Sequence, residues 1–266
     1  MGSIVYGFTG WFYIGAYVRA FKDAAVSVPP CDHRALQLVS RCGCRPDHEA
    51  MLLEFYSAAW PGVRAPRRGP EWRELGFQGD DPTTDFRATG PEGLRVLLHI
   101  AATRPELFRD FVANPRAYGF AVLVLNLTHT VAACLDLVPR GLRAAPHVAP
   151  EPYPAACAAF GALFCGSETA FEDVVCACVE RCDAVWQSTV VAAATAAASS
   201  TPALLNFQAL VHGVLVELQR ALVACARHSS MPTTANLHRA LVERPSIWRR
   251  VCRCREGQSG RVVPVR

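Results

Sequence analysis

The chain has 266 residues, enough for one large domain or two small ones. It is 51% hydrophobic and 19% charged, which provides material for a packed core and excludes global disorder. Its net charge of +4 is modest for this length, whereas a nucleic-acid-binding protein usually has a concentrated basic face. We therefore expect a folded protein without a nucleic-acid partner.

The N-terminal stretch is uncharged and rich in aromatic residues up to Arg19. It lacks the basic start and the aliphatic centre of a secretory signal, and Gly7, Gly10 and Gly15 interrupt it. Three interpretations stay open: a helix packed on the core, an interfacial membrane anchor and a short transmembrane helix. We expect an accessory aromatic or amphipathic helical region over residues 1–44 of a cytoplasmic protein, with a peripheral position at a membrane surface as the alternative.

Helical periodicity dominates the rest of the chain, and no convincing strand alternation is found. Apolar positions recur at helical spacing in "HEAMLLEFYSAAW", and residues 117–138 are apolar on nearly every side, which is typical of a fully buried helix. T-x-x-E patterns predict capping boxes at three helix N-termini: Thr89 with Glu92, Thr103 with Glu106, and Thr169 with Glu172. The sequence predicts an all-α protein with a single multi-helix domain and the accessory N-terminal helix.

The 12 cysteines are irregularly spaced, and we expect reduced, mostly buried thiols. Structural zinc is the open alternative at three clusters of atypical spacing: Cys31, His33, Cys42 and Cys44; Cys176, Cys178 and Cys182; Cys252 and Cys254. His99, His129 and His212 fall within apolar helices, as satisfied core histidines do. Because no nucleophile elbow, HExxH or Walker motif occurs, we expect no self-contained enzyme, no metal and no cofactor of its own.

The stretch "WRELGFQGDDPTTDFRATG", residues 72–90, is the densest mixture of polar, aromatic and turn residues in the chain. Gly76 and Gly79 allow turns that a side chain would obstruct. Pro82 fixes an extended approach to the residues that follow it. The pattern predicts a loop that is held rigidly.

Four further side chains suggest how this loop is held and what it presents. Trp72 and Phe77 can anchor the loop in the core, and Asp85 can either orient Arg87 or cap neighbouring backbone N–H groups. Arg87 is the most versatile group in the stretch. From the chemistry of these residues alone, an ion pair between Arg87 and Asp85 or another carboxylate is the favoured interpretation.

Residues 72–94 resemble the signature of the ELMO domain, in the branch of ELMO-domain-containing proteins that act on Arf-family GTPases. The positions that match the signature are Trp72, Gly76, Phe77, Gln78, Pro82, Thr84, Asp85, Phe86, Arg87, Gly90 and Leu94. Flanking stretches are similar as well, so the resemblance covers about residues 45–228 as the ELMO domain. It leaves residues 229–266 as a C-terminal helix and basic tail.

The resemblance implies a GTPase-activating protein for an Arf-like GTPase, a role in membrane trafficking. Arg87 would be the arginine finger, supplied in trans to the GTP-bound partner, whose own GTP and Mg²⁺ complete the site. The residues that would position it are Trp72, Gly76, Phe77, Gln78, Pro82, Thr84, Asp85 and Gly90. A non-catalytic ELMO-type binding or scaffold module in a small-GTPase regulatory complex is the alternative.

One departure from the family pattern lies next to the arginine. The glycine that normally follows it is Ala88 here. If that position required a positive φ, Ala88 would be strained or the loop would shift. We expect such a departure to affect activity more than the fold.

Overall fold

A computed structural model describes residues 48–138, 148–196, 207–228 and 232–243. Over these residues the chain forms helices joined by turns and contains no β-strand, which confirms the predicted all-α fold. The predicted N-terminal helical region and the basic tail after residue 243 lie outside the described residues, as do the cysteine clusters within them. The choice between core packing and membrane contact for the N-terminal region therefore stays a prediction.

The helices in chain order are α1 (His48–Ala59), α2 (Glu71–Glu74), α3 (Pro91–Thr103), α4 (Pro105–Ala113), α5 (Phe120–Cys134), α6 (Pro154–Gly166), α7 (Ala170–Ala196), α8 (Phe207–His228) and α9 (Thr234–His238). A 3₁₀ helix, Pro82–Arg87, lies between α2 and α3, and a π-helical turn, Arg239–Glu243, continues α9. The centre of the fold is formed by α3, α5 and α7, which pack on one another. α1 and α4 pack against α3, while α6 and α8 pack against each other and against α7.

α5 is the helix that the sequence predicts to be buried on nearly every side, and the structure confirms this. Its two buried threonine hydroxyls are satisfied within the helix itself. The hydroxyls of Thr128 and Thr130 donate to the carbonyls of Val124 and Asn126, at 2.8 Å in each case. A helix with no unpaired hydroxyl at these positions can pack against α3 and α7 without a desolvation penalty.

α7 carries a row of acidic side chains that hold the surrounding elements. Asp173 contacts the Nε2 atom of His99 on α3 at 2.8 Å. Further along the helix, Glu180 pairs with Arg104 and His238, and Asp183 pairs with Arg116 and accepts from Tyr118. These ion pairs join α7 to the end of α3, to the turn before α5 and to α9, so the bundle is fixed by polar contacts as well as by its apolar core.

The predicted capping box at the start of α3 is wrong. α3 begins at Pro91, and its N-cap residue is Gly90, which offers no side chain. The hydroxyl of Thr89 is buried without a hydrogen-bond partner among the described residues, and the carboxylate of Glu92 accepts from Arg95 at 3.2 Å instead. The reason is that proline, which has no N–H to be capped, favours the first helical position and moves the cap to the residue before it.

Proline also explains why the predicted capping box of Thr103 with Glu106 is wrong. The prediction for Thr169 with Glu172 is right about where the helix begins and wrong about the box. α4 begins at Pro105, and the hydroxyl of Thr103 donates back to the carbonyl of His99 at 2.7 Å. α7 begins directly after Thr169, as predicted. The hydroxyl of Thr169, however, donates to the carboxylate of Asp173 at 3.1 Å and does not form a capping box with Glu172.

Among the described helices, α8 is long and apolar enough to cross a bilayer by length and composition. The structure buries 56% of that stretch inside the protein, where α8 lies against α6 and α7. A core helix passes the same test, and its position here is that of a core helix.

Candidate functional site

The stretch 72–90 begins at an aromatic anchor. Trp72 is 2% exposed, and its indole N–H donates to the carbonyl of Pro66 at 3.0 Å. Its ring packs edge-on against Tyr56 of α1 and against Phe77, with centroids 5.2 and 5.7 Å apart. The indole therefore satisfies its one polar group while its ring is buried, as buried tryptophans require.

Phe77 connects this anchor to the far end of the loop. The side chain is buried, with its ring centroid 6.2 Å from that of Phe55 in the core and 5.8 Å from that of Phe86 in the 3₁₀ helix. Both arms of the loop thus contact one aromatic cluster. The 3₁₀ helix also contacts α3 and α5, so it lies on the core rather than projecting from it.

Gly76 fits the loop against the start of α5. Its φ is +85°, and a Cβ atom there would lie 2.1 Å from the backbone nitrogen of Phe120. The close approach lets the carbonyls of Leu75 and Gly76 accept from the N–H groups of Ala121 and Val122, at 3.2 and 3.1 Å. These first-turn donors of α5 have no partner inside the helix, so the loop backbone caps it.

Position 79 does not require glycine. A Cβ atom at this position would meet nothing within 4 Å, and its φ is not positive. The sequence-based requirement for glycine therefore holds at Gly76 and is wrong at Gly79.

The 3₁₀ helix is started by Asp81 and Pro82. The carboxylate of Asp81 accepts from the backbone N–H of Thr83 at 3.1 Å and from its hydroxyl at 2.6 Å. Pro82 is buried at the first helical position, and the hydroxyl of Thr84 donates to the carbonyl of Asp81 at 2.9 Å. Arg68 adds an ion pair with Asp81 at 2.8 Å. The hydroxyl of Thr83, with a smaller contribution from Arg68, holds the pKa of Asp81 below its usual value.

Asp81 and Arg68 are the residues of the site that the sequence interpretation missed. The usable signal was Asp-Pro-Thr-Thr, an acidic residue directly before a proline and two residues before a hydroxyl side chain. That spacing is typical of a helix N-cap. A second ion pair of the loop, between Arg73 of α2 and Asp80 at 2.7 Å, has no such signal in the sequence.

Asp85 does not pair with Arg87 in this structure. One carboxylate oxygen accepts from the backbone N–H of Gln78 at 2.7 Å, and the other accepts from the hydroxyl of Thr84 at 3.2 Å. Of the two roles considered from the sequence, capping of a backbone N–H is the one observed. The expected Arg87–Asp85 ion pair is therefore wrong: the carboxylate bonds to Gln78 and Thr84 within the loop and makes no ion pair with Arg87.

Arg87 is the last residue of the 3₁₀ helix, and its side chain is exposed. It makes no hydrogen bond or ion pair with any of the described residues, whereas Arg68 and Arg73 each pair with a carboxylate of the loop. The backbone after it is fixed, since the N–H of Gly90 donates to the carbonyl of Phe86 at 2.7 Å. A guanidinium without a partner among the described residues is thus held at the end of an anchored segment.

Ala88 is not strained. Its φ of −90° and ψ of −29° are right-handed helical values that any residue adopts. The positive φ of this turn lies two residues further on, at Gly90, where φ is +58°. The alanine therefore leaves the backbone after Arg87 in an ordinary conformation, and the expected distortion is absent at this residue.

A groove of about 340 Å³ lies beside the loop, between its first half and the turn that leads into α5. Its wall on the loop side includes Arg73, Glu74 and Gln78, and its opposite wall includes Phe111 and Arg116. The guanidinium of Arg116 lies 4.5 Å from the ring centroid of Phe111, and its ion pairs with Asp110 and Asp183 leave the side chain 6% exposed. The groove is lined by aromatic and charged side chains, and the guanidinium of Arg116 is already paired with carboxylates of the bundle.

The described residues contain no group of three or more His, Cys, Asp or Glu that could hold a metal ion. Cys176, Cys178 and Cys182 are all buried in α7, and burial raises the pKa of the Cys176 and Cys182 thiols to about 12. Burial also lowers the pKa of His129. These thiols are therefore protonated at neutral pH in the structure as described.

One buried carboxyl near the loop escaped the sequence interpretation. Burial, with the nearby carboxylate of Glu172 on α7, raises the pKa of Glu92 to about 7, and Arg95 opposes the shift. Glu172 is buried as well, and burial raises its pKa. The two residues are 80 positions apart in the chain, so no local pattern predicts that they meet.

Comparisons with known proteins place the chain in a family. Residues 35–201 match the model of the ELMO/CED-12 family. The chain is 38% identical over 94 residues to ELMO domain-containing protein B of Dictyostelium discoideum, which covers 34% of this chain and 33% of that protein. It is 36% identical over 86 residues to ELMO domain-containing protein C of the same organism, covering 32% of this chain and 14% of that protein.

A mammalian relative gives a similar result. The chain is 46% identical over 105 residues to mouse ELMO domain-containing protein 1, covering 31% of this chain and 32% of that protein. The chain thus spans about a third or less of the length of these relatives, and no solved structure matches it. Because the family match covers more than half of its residues, the chain belongs to the ELMO/CED-12 family.

Proposed function

We propose that this chain is a GTPase-activating protein for an Arf-family small GTPase, and that Arg87 is its arginine finger. Family membership supports a role in small-GTPase regulation. The observation that carries the finer proposal is the state of Arg87, which is exposed and unpaired among the described residues at the end of an anchored 3₁₀ helix. The proposal also places the protein in the cytoplasm, where it meets its GTP-bound partner.

GTP hydrolysis in the partner requires a positively charged group that can leave the solvent and enter the nucleotide site. During GTP hydrolysis negative charge redistributes over the phosphoryl oxygens, and a guanidinium supplied in trans stabilises it, which can raise the rate about 10³- to 10⁵-fold. An arginine already bound to a carboxylate would first have to break that ion pair. Asp85 is held by Gln78 and Thr84 instead, so Arg87 has no such cost within the loop.

The anchoring of the loop matters because a finger works by position. A displacement of about 1 Å can cost roughly 100-fold in rate. Trp72 and Phe77 fix one arm in the aromatic cluster, and the cap at Asp81 fixes the start of the 3₁₀ helix. The guanidinium of Arg87 is a long, exposed group at the end of this fixed support. GTP and Mg²⁺ enter the reaction with the partner.

The test is single-turnover GTP hydrolysis by a panel of purified Arf-family GTPases, each loaded with GTP and mixed with a titrated excess of this protein. We expect stimulation by wild type, loss of most of it in Arg87→Ala, and poor replacement by Arg87→Lys, whose ammonium lacks the planar fork. Arg220→Ala is the matched control, since Arg220 is an exposed arginine on α8, and it should behave as wild type.

Circular dichroism and thermal unfolding of all four proteins establish whether the variants are folded. If folded wild type stimulates no GTPase of the panel but binds one with equal affinity in both nucleotide states, the activating role is contradicted. That outcome favours the non-catalytic binding module.

A further inference from the structure

We propose that Gln78 is a second catalytic residue of the loop, which orients the attacking water in the nucleotide site of the GTPase while Arg87 stabilises the phosphoryl charge. The inference rests on the proposed function and deepens it, because it assigns a role to a side chain that the arginine-finger account leaves unused. It is carried by the contrast between the backbone of Gln78, which is fixed, and its side chain, which is not.

The backbone of Gln78 has a structural task that any residue other than proline could perform. Its N–H donates to the carboxylate of Asp85 at 2.7 Å, and the preceding residue, Phe77, is buried in the aromatic cluster. The side chain has no comparable task. It is exposed, and its amide makes no hydrogen bond with any residue in the part of the chain that the structure describes.

The same hydrogen bond joins Gln78 to the segment that carries the finger. Asp85 lies within the 3₁₀ helix, two residues before Arg87. The loop thus closes from Gln78 to Asp85, and the two exposed side chains, an amide and a guanidinium, belong to one hydrogen-bonded unit. The inference requires that a partner which receives Arg87 also reaches the side chain of Gln78.

An amide is suited to the part of the reaction that a guanidinium cannot perform. The oxygen of water bonds to the γ-phosphorus while the bond from that phosphorus to the β–γ bridging oxygen breaks. The products are GDP and inorganic phosphate, and the phosphate receives the proton that the water loses. A glutamine can accept a hydrogen bond from the attacking water through its carbonyl and donate to a phosphoryl oxygen through its NH₂ group, which is how glutamines act within GTPases themselves. Arginine has no acceptor.

The experiment uses the GTPase that responds to this 266-residue chain, in single-turnover assays over a range of activator concentrations. We expect Gln78→Ala and Gln78→Glu to lower the maximal stimulated rate at least about 10-fold, as removal of a positioned hydrogen-bonding group does. The activator concentration that gives half of the effect should change less than about 3-fold. Gln187→Ala, which removes an exposed glutamine of α7, is the control and should match wild type.

A second probe separates orientation of the water from a structural effect. In the responding GTPase, the glutamine that orients the water is replaced by leucine. If Gln78 supplies this function in trans, wild-type protein still stimulates that variant and Gln78→Ala does not. No stimulation of the variant by wild type would overturn the inference.

The outcomes of the two proposals can be told apart. If Arg87→Ala abolishes stimulation and Gln78→Ala keeps the full maximal rate, the arginine finger stands and the role of Gln78 is overturned. If wild type stimulates no GTPase, the proposed function fails, and the role of Gln78 fails with it. Urea unfolding of Gln78→Ala should match wild type within about 0.5 kcal/mol, as for surface substitutions in general.

Discussion

The carboxylate of Asp85 accepts a hydrogen bond from the backbone N–H of Gln78 at 2.7 Å, and this bond fixes the loop that ends in Arg87. It also engages the acidic side chain nearest in sequence to the finger. The contact closes the loop, and Arg87 makes no ion pair with any residue in the described part of the chain.

Removal of the Asp85 carboxylate should disturb the loop more than it disturbs the bundle. We expect Asp85→Ala to lower the stimulated GTP hydrolysis rate by about 10- to 100-fold, because the 3₁₀ helix loses its bond to Gln78 and Arg87 shifts. The free energy of unfolding should fall by roughly 1.5–3 kcal/mol, the usual contribution of a hydrogen bond to a charged group. Urea unfolding and single-turnover assays measure the two effects. A variant as active as wild type would show that the loop is held without Asp85.

Gly76 and Gly79 form a matched pair for testing the close contact with α5. A Cβ atom at Gly76 would lie 2.1 Å from a backbone nitrogen of α5, while one at Gly79 would meet nothing within 4 Å. We expect Gly76→Ala to lower the free energy of unfolding by about 3 kcal/mol or more, since backbone must move and a positive φ is imposed on alanine. Gly79→Ala should change it by no more than about 1 kcal/mol. Equal behaviour of the two variants in urea unfolding would contradict the geometry.

Ala88 should tolerate the glycine of the family pattern without benefit. Because its φ is −90°, Ala88→Gly relieves no strain and only adds freedom to the unfolded chain. We expect a loss of about 0.5–1 kcal/mol in the free energy of unfolding and a stimulated rate within about 2-fold of wild type. Thermal unfolding of the two proteins provides the comparison. A stabilised variant would mean that this position does adopt a positive φ.

The largely buried carboxyl of Glu92 should make stability depend on pH between about 4.5 and 7. Its pKa rises from 4.5 to about 7 in the folded protein, so the folded state binds the proton more tightly than the unfolded state does. The corresponding stability is fully present below about pH 4.5 and is lost as pH rises towards and through 7, by an amount on the order of 3 kcal/mol. Arg95 and Glu172 are the charged groups that act on it.

Glu92→Gln isolates this effect, because the amide stays neutral at every pH. We expect the variant and wild type to have similar free energies of unfolding at pH 5, and the variant to be the more stable protein at pH 8. Urea unfolding at the two pH values measures the difference, with Glu54→Gln at an exposed position of α1 as the control. A stability gap that does not widen between pH 5 and pH 8 would show that Glu92 ionises without penalty.

The sequence predicts well what depends on local periodicity. The buried face of α1, with Leu52, Phe55 and Tyr56, and the uniform burial of α5 follow from the spacing of apolar residues. The capping boxes failed at α3 and α4 for a local reason, since the proline at the first helical position sets the cap. Attention to that proline would have corrected both predictions.

Within the candidate site, the sequence identifies the residues but not their partners. The sequence allows Asp85 to pair with Arg87 or to accept from a backbone N–H. Which of the two occurs depends on how the loop closes onto Gln78, seven residues earlier. The requirement for glycine at position 76 comes from α5, more than 40 residues further along the chain. Such contacts are set by tertiary packing, and the spacing of residues within the loop does not contain them.

The central claim is that Arg87 acts in trans on a GTPase, and single-turnover GTP hydrolysis by a panel of Arf-family GTPases tests it most directly. The account predicts that wild type raises the rate for at least one GTPase by about 10³-fold or more. It also predicts that folded Arg87→Ala loses nearly all of this effect while Arg220→Ala retains it. Full stimulation by Arg87→Ala, or none by folded wild type across the panel, would contradict the account.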